Sequence, residues 1–157
     1  MTSPTHAVMV LAVGAMVMRR RYGGSVVAVG AVCAVVPDLD LLAPIFGGTR
    51  AFHRTLTHAI PFAGLLAGCA AGAGWRHRRR AGDALSIGIW IGVATISHAV
   101  LDMLTTYPMG IALWSPLSAS RYGLPWQPIK SVSEEFVWVF LPSVTLFLLA
   151  WRRGVSS

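Results

Sequence analysis

Five apolar runs separated by short polar segments dominate the pattern of hydrophobic and polar positions along the chain. The runs cover residues 7–18, 25–36, 58–75, 84–105 and 135–151. Each is apolar almost throughout rather than alternating, which is typical of helices buried in a core or surrounded by lipid. The pattern predicts an all-α polytopic membrane protein of about five transmembrane helices, with residues 1–157 forming one domain.

Prolines and glycines predict where these helices end, bend and touch. Pro37 is expected to end the second helix, and Pro142 is expected to kink the last one. Glycines recur every four residues at positions 64, 68 and 72 of the third run and at positions 88 and 92 of the fourth. Because such ridges allow close approach, we expect the third and fourth helices to pack together.

The composition favours a membrane protein. Apolar residues make up 55% of the chain, charged residues only 12%, and the mean hydropathy is +0.63. The net charge of +7 would also suit a nucleic-acid-binding protein. However, nine of the thirteen basic residues lie in three tight clusters that each close an apolar run, so we expect a lipid bilayer and no nucleic acid as partner.

The arginine clusters also predict an orientation. They occupy positions 19–21, positions 76 and 78–80, and positions 152–153, after the first, third and fifth runs. In a five-span chain these places share one side, which the positive-inside rule makes cytoplasmic. The prediction is an outside N-terminus, a cytoplasmic C-terminus and a multi-pass protein of a bacterial-type inner (plasma) membrane.

Candidate metal ligands collect at the opposite side. His98 and Asp102 stand one helical turn apart in the fourth run, and ionisable residues in a membrane helix need a partner or an ion. Five further candidates fall at the same expected depth: His6, Asp38, Asp40, His53 and His58. Seven ligands exceed what one catalytic zinc uses and predict a site for two divalent ions. Imidazole and carboxylate ligands favour zinc, with manganese or iron as alternatives.

Each of these residues also has a simpler interpretation. Taken alone, His6 is better explained as a surface or capping residue, and Asp38 with Asp40 is explained equally well as the polar end of a helix. His98 and Asp102 are compatible with a structural hydrogen bond. Arg54 suits either a phosphate group, which its guanidinium would grip as a fork, or a lipid headgroup. Glu134 and Glu135 are explained as caps of the last helix.

The order of these motifs resembles the YdjM-type inner-membrane proteins. The motifs are Thr5-His6, Pro37-Asp38-Leu39-Asp40, His53-Arg54-Thr55-Leu56-Thr57-His58 and Ser97-His98-Ala-Val-Leu-Asp102. The resemblance covers the chain from His6 to about Trp114 and implies a metal-dependent hydrolase. The family usually has glycine where this chain has Thr55, a departure that touches no proposed ligand. The family also looks distantly similar to zinc-dependent phospholipases C and single-strand nucleases, an analogy that does not establish a substrate.

These observations together predict hydrolysis of a phosphoester in a lipid or lipid-linked substrate at the outer membrane interface. Asp40 and His98 are the predicted catalytic residues, with Asp40 taking or positioning the proton, and Arg54 is predicted to bind the substrate. Two other classes remain open: a metal-ion or proton transporter, and a structural membrane protein with a stabilising zinc. The sequence leaves the substrate, the native metal and the oligomeric state undetermined.

Overall fold

The computed structural model describes residues 1–47, 53–106 and 110–153, and within these ranges the chain forms helices and two isolated β-bridges but no strand. The α-helices are α1 (Ser3–Val17), α2 (Arg19–Tyr22), α3 (Gly24–Val35), α4 (Ile60–Arg78), α5 (Ala81–Asp102), α6 (Val132–Glu135) and α7 (Leu141–Arg153). Two 3₁₀ segments, Val36–Phe46 and Leu56–His58, and one π segment, Phe136–Phe140, complete the set. The all-α prediction is confirmed.

Three helical stretches in the described part of the chain are long and apolar enough to cross a membrane. They are Gly24–Ile45, Ala81–Asp102 and Val132–Arg153, each of 22 residues, and α1 is a shorter apolar helix. At ~1.5 Å per residue, 22 α-helical residues reach about 33 Å, which matches a hydrocarbon core of ~30 Å. The count of five spans and the direction of insertion stay predictions.

Pro37 and Pro142, which the sequence analysis singled out, both lie where one type of helix passes into another. Pro37 was expected to end the second helix, but the chain continues from α3 into the 3₁₀ segment that starts at Val36. A proline is tolerated in the first turn of a helical segment because its missing N–H has no partner there. Near Pro142 the chain widens into the π segment Phe136–Phe140 before α7. Pro142 has no N–H to donate to the carbonyl oxygen of Trp138, four residues earlier. This missing hydrogen bond accounts for the local change from α-helical to π-helical winding.

The core between α1, α3 and α5 is built around Trp90. Its indole Nε1–H donates a hydrogen bond of 3.1 Å to the main-chain oxygen of Val26. Gly14 of α1 and Gly30 of α3 face the same indole so closely that a Cβ at Gly30 would lie 2.4 Å from its Nε1. Small residues therefore let three helices close around one large aromatic side chain, as in other membrane bundles.

Helices α4 and α5 pack along each other, as the glycine pattern predicted, but only one of the two ridges is used. Gly88 of α5 faces Ala67 and Ala71 of α4, and a Cβ there would approach their atoms to 2.9 Å. The ridge on α4 was expected to face α5 as well, and this was wrong. Glycines 64, 68 and 72 have no atom within 4 Å of an added Cβ, because the alanines one position before them form the contact.

The arginine-rich end of the bundle is tied together by Asp83, at the start of α5. Asp83 accepts a hydrogen bond of 2.8 Å from Arg21 Nη2 and lies 3.4 Å from the hydroxyl of Tyr22. Arg78, at the end of α4, donates a 3.1 Å hydrogen bond to the carbonyl oxygen of Tyr22. These contacts connect the α2 turn to the α4–α5 pair, and the candidate ligands collect at the other end.

Candidate metal centre

The structure brings all seven candidate ligands to one end of the bundle. His6 comes from the first turns of α1, and Asp38 and Asp40 come from the 3₁₀ segment Val36–Phe46. His53 and His58 precede α4, and His98 and Asp102 close α5. Six of the seven form two groups in which the possible ligand atoms lie within 4.8 Å of one another: His6, His98 and Asp102, and Asp38, His53 and His58.

The first group is fully buried between α1 and α5. The rings of His6 and His98 stack with centroids 3.7 Å apart and planes inclined by 20°. His6 Nε2 lies 3.4 Å from Asp102 Oδ1, and His98 Nε2 lies 3.9 Å from Asp102 Oδ2. The two imidazoles thus flank one carboxylate, as the spacing of His98 and Asp102 on one helix face had suggested.

Hydrogen bonds select the tautomer of His98. Its Nδ1 lies 2.7 Å from the main-chain oxygen of Ala34. A carbonyl oxygen only accepts, so Nδ1 carries a hydrogen, and Nε2 is the nitrogen that would offer a lone pair to a metal. That lone pair faces the carboxylates of Asp38 and Asp102, at 3.3 and 3.9 Å. This arrangement offers ligand atoms to a cation, beside the contacts that Asp102 already makes with Arg54 and the N-terminal amine of Met1.

The second group is organised by Asp40. Its Oδ1 accepts a hydrogen bond of 2.7 Å from His53 Nδ1, and its Oδ2 accepts one of 2.9 Å from the hydroxyl of Thr57. Because Thr57 gives its hydrogen to Asp40, its oxygen accepts from Nδ1 of His58 at 3.2 Å. His53 and His58 therefore each carry a hydrogen on Nδ1, which makes Nε2 the possible ligand atom of each ring.

Asp38 connects the two groups. Its Oδ1 lies 3.3 Å from His98 Nε2, and its Oδ2 accepts a hydrogen bond from the hydroxyl of Ser3. The rings of His58 and His98 also meet edge to face, with centroids 4.8 Å apart. The two groups of ligands consequently form one continuous centre, in which Asp38 of one group contacts His98 of the other.

Within the described part of the chain, four buried imidazole nitrogens have no hydrogen-bond partner: His6 Nδ1, His6 Nε2, His58 Nε2 and His98 Nε2. Burial, reinforced by the nearby His98 ring, lowers the pKa of His58 from 6.5 to about 3. The imidazole of His58 is therefore neutral at ordinary pH, the form that binds metals. Unpartnered neutral imidazoles beside ionised carboxylates fit a divalent metal centre and favour zinc among the metals expected.

Arg54 lies inside this centre rather than at its rim. It is 6% exposed, and its Nη2 lies 2.9 Å from Asp102 Oδ2. Its backbone has a φ of +62°, a left-handed conformation that is uncommon for residues with a side chain. The hydrogen bond from Ala112 N to Arg54 O, 3.0 Å long, helps to hold this conformation. Arg54 was predicted to bind substrate, and its visible partner is a metal-ligand candidate.

Two supporting elements were missed by the sequence reasoning. Residues 110–113, after α5, contact the chain on both sides of His58: Ile111 and Ala112 are buried, Ala112 N donates to Arg54 O, and Leu113 O accepts a 2.8 Å hydrogen bond from Ile60 N. Glu135 was interpreted only as a helix cap, but its buried carboxylate accepts hydrogen bonds from the main-chain N–H and hydroxyl of Thr2, at 2.8 and 2.7 Å. The sequence did show a charged residue, Glu135, next to an apolar run. It gave no indication that the partner of Glu135 is Thr2.

The comparisons with known proteins cover nearly the whole chain. The family described as "YdjM inner membrane protein" matches residues 1–156. The inner membrane protein YbcI of Escherichia coli (strain K12) is 30% identical over 169 residues, which cover 95% of this chain and 96% of that protein. No solved structure matches the chain. The resemblance inferred from the His and Asp motifs is thereby confirmed.

Proposed function

Because this chain belongs to the YdjM family of inner membrane proteins, we propose that it is a membrane-bound, metal-dependent hydrolase of phosphoesters. The inner membrane location follows from the family itself and agrees with the three apolar helices. The hydrolase activity, the phosphoester substrate and the metal are our proposal. The seven His and Asp side chains at one end of the bundle are the residues that support it.

One observation carries the proposal: three imidazoles have Nδ1 occupied by a hydrogen-bond partner, so that each can offer Nε2 to an ion. His98 donates from Nδ1 to Ala34, His53 donates from Nδ1 to Asp40, and His58 donates from Nδ1 to Thr57. Metal-binding histidines almost always have their second nitrogen fixed in this way by a carboxylate or a carbonyl oxygen. A buried structural histidine would instead use both nitrogens for hydrogen bonds.

We assign the ligands of two ions from the two groups. His6, His98 and Asp102 would hold one ion, and Asp38, His53 and His58 would hold the other. When bound, two neighbouring divalent ions lower the pKa of a water molecule and withdraw electrons from a phosphoryl oxygen. Ligation by His98 would make this residue essential for the proposed activity, for which it was predicted to be catalytic.

Asp40 has a narrower role in this proposal than the sequence suggested. Its two oxygens already accept hydrogen bonds from His53 and Thr57. This geometry favours Asp40 as a positioning residue that orients His53 and makes its free nitrogen more basic. Abstraction of a proton from water by Asp40 would require one of these two hydrogen bonds to be replaced.

The depth of the centre suits an amphipathic substrate. Residues 110–130, which contact the chain beside Arg54 and Ile60, include Trp114, Tyr122 and Trp126, which are 45%, 43% and 71% exposed. Tryptophan and tyrosine favour the boundary between lipid headgroups and hydrocarbon. A phosphoester in a lipid or lipid-linked molecule would rest at that level, with Arg54 inside the centre to complement its charge while also holding Asp102.

The proposal includes an orientation. If α1, α3, α4, α5 and the α6–α7 segment all cross the membrane, the arginine clusters share the cytoplasmic face and the metal centre faces outward. Reporter fusions test this directly. A cytoplasmic reporter fused after Ser157 should be active, and an active periplasmic reporter at the same place would reverse the orientation.

Metal content and activity test the function together. Purified protein should contain about two divalent ions per chain and should release phosphate or a headgroup from a panel of phospholipids and lipid-linked phosphates. His98→Ala and Asp102→Ala should abolish hydrolysis while the protein still inserts. A metal-free wild-type protein that remains active would refute the proposal.

A transporter is the main alternative, and the described residues give it little support. Below His98, the polar Thr95 hydroxyl is 2.8 Å from Ile91 O of its own helix and is therefore satisfied locally. Trp90, Ile91 and Ala94 fill the space beneath it with buried apolar surface. Transport would nevertheless be favoured if the wild-type protein takes up metal into vesicles without hydrolysing phosphoesters and if His98→Ala loses this uptake.

A further inference from the structure

A cleft of about 790 Å³ opens between α1 and α7 at the arginine-rich end, opposite the metal centre. This volume is in the range of ordinary small-ligand sites. One wall is apolar and is formed by Ala15 and Met16 of α1 with Leu146, Leu149 and Ala150 of α7. The cleft therefore offers a surface along which a hydrocarbon chain could lie.

The rim of the cleft is strongly basic. Arg19, Arg20 and Arg153 line it, and none of the described residues that line it is acidic. Arg19 is fixed by Trp151: its Nη1 donates a 2.7 Å hydrogen bond to Trp151 O, and its guanidinium lies 3.7 Å from the centroid of the indole. The rim is thus a built surface with one arginine held in position by an aromatic platform.

The start of α3 adds to the positive charge at the rim. Gly23 and Gly24 line the cleft, and no side chain caps the first N–H groups of α3. A helix N-terminus carries a partial positive charge and offers backbone donors to an anion. Asp83, the acidic residue found at this end of the described chain, is engaged by Arg21 at 2.8 Å. The described lining of the cleft therefore carries a net positive charge that complements an anionic ligand.

We propose that this cleft binds one anionic glycerophospholipid. The phosphate would lie between Arg20, Arg153 and the start of α3, and one acyl chain would follow the wall formed by Met16, Leu146 and Leu149. Only an amphiphile satisfies both halves, because free phosphate leaves the apolar wall uncovered. Basic pockets between membrane helices are known to suit anionic headgroups. The proposal does not depend on the metal centre or on hydrolysis.

The test uses the purified full-length protein in detergent micelles. Phosphatidylglycerol and phosphatidylcholine with identical acyl chains are titrated in, and bound lipid is counted by native mass spectrometry. We expect one phosphatidylglycerol to bind at least about tenfold more tightly than phosphatidylcholine. The double variant Arg20→Gln with Arg153→Gln should bind it about 25-fold more weakly, from a factor of about five per arginine. Equal binding of both lipids by the wild type would overturn the proposal.

Matched controls separate the cleft from general surface charge. Arg76→Gln with Arg80→Gln removes the same charge from exposed positions at the same end, outside the cleft, and should leave binding unchanged. Equal losses in both double variants would show diffuse attraction and refute a defined site. Leu149→Gln should weaken binding, whereas Leu148→Gln, equally exposed but outside the lining, should not. Displacement of the lipid by millimolar inorganic phosphate would indicate a phosphate site and also refute the proposal.

Discussion

His98 Nε2 lies 3.3 Å from Asp38 Oδ1, and this contact joins two parts of the chain that are 60 residues apart in sequence. His98 belongs to the group with His6 and Asp102, whereas Asp38 belongs to the group with His53 and His58. The contact therefore turns two sets of three ligands into a single centre. It also makes Asp38 the side chain whose loss should affect both proposed ions.

Substitution of Asp38 should consequently lower metal content more than substitution of Asp102. We expect Asp38→Asn to reduce the content from about two ions per chain to below about one, because a shared carboxylate helps to hold both ions. Asp102→Asn touches one group and should leave about one ion. Elemental analysis of the purified variants measures this. Equal losses in the two variants would show that Asp38 is not shared.

Asp40→Asn should weaken metal binding by about 10–100-fold without removing a direct ligand. Asp40 accepts hydrogen bonds from His53 and Thr57 and so orients the second group, and outer partners of metal ligands usually have effects of this size. Competition with a metal-sensitive dye gives the affinity. Asp83→Asn, which removes a carboxylate at the opposite end of the bundle, is the charge-matched control and should leave the affinity unchanged.

Removal of metal should destabilise the protein. Without ions, the carboxylates of Asp38 and Asp102 lie 3.3 and 3.9 Å from His98 Nε2, and the contacts of Asp102 with Arg54 and the N-terminal amine of Met1 compensate only part of the negative charge. A ligand at 100 times its dissociation constant contributes about 2.7 kcal/mol to the free energy of unfolding. We therefore expect a lower melting temperature after chelation and recovery when zinc is restored. The same melting temperature with and without chelator would argue against bound metal.

Gly30→Ala should destabilise the bundle by about 1–3 kcal/mol, the usual cost of overpacking a core. The added methyl would lie 2.4 Å from Nε1 of Trp90, whose indole is fixed by its hydrogen bond to Val26. Gly68→Ala is the matched control. Nothing lies within 4 Å of a Cβ at Gly68, so this variant should be neutral or stabilised by up to about 1 kcal/mol. Thermal unfolding in detergent separates the two, and equal effects would contradict the packing described.

Glu135→Gln should cost about 1.5–3 kcal/mol, because its buried carboxylate accepts two hydrogen bonds from Thr2 at the start of α1. Glu134→Gln is the neighbouring control. Glu134 accepts from the main-chain N–H of Lys130 in a more exposed setting, so its substitution should cost no more than about 1 kcal/mol. Thermal unfolding again provides the measurement, and a smaller loss for Glu135→Gln than for Glu134→Gln would be contrary to expectation.

The sequence alone determined the helical class, the approximate helix ranges and the residue types of the site. Long apolar runs are a local property, and the helical turn places His98 and Asp102 on one face whatever surrounds them. The same local reasoning predicted that α4 and α5 pack together. It could not decide which ridge faces the contact, because a glycine ridge and its neighbouring alanine ridge are both small enough for close approach.

Only the tertiary structure decided which atoms face the centre. The tautomer of His98 depends on Ala34, and the second group depends on Thr57 and Asp40. The tertiary structure also pairs Arg54 with Asp102, where the sequence suggested a substrate contact, and Glu135 with Thr2, where the sequence suggested a helix cap. These outcomes rest on hydrogen bonds between distant segments, whose direction is set by how whole helices pack. Residue type and spacing define which ligands are available, but the packed fold defines where their lone pairs point.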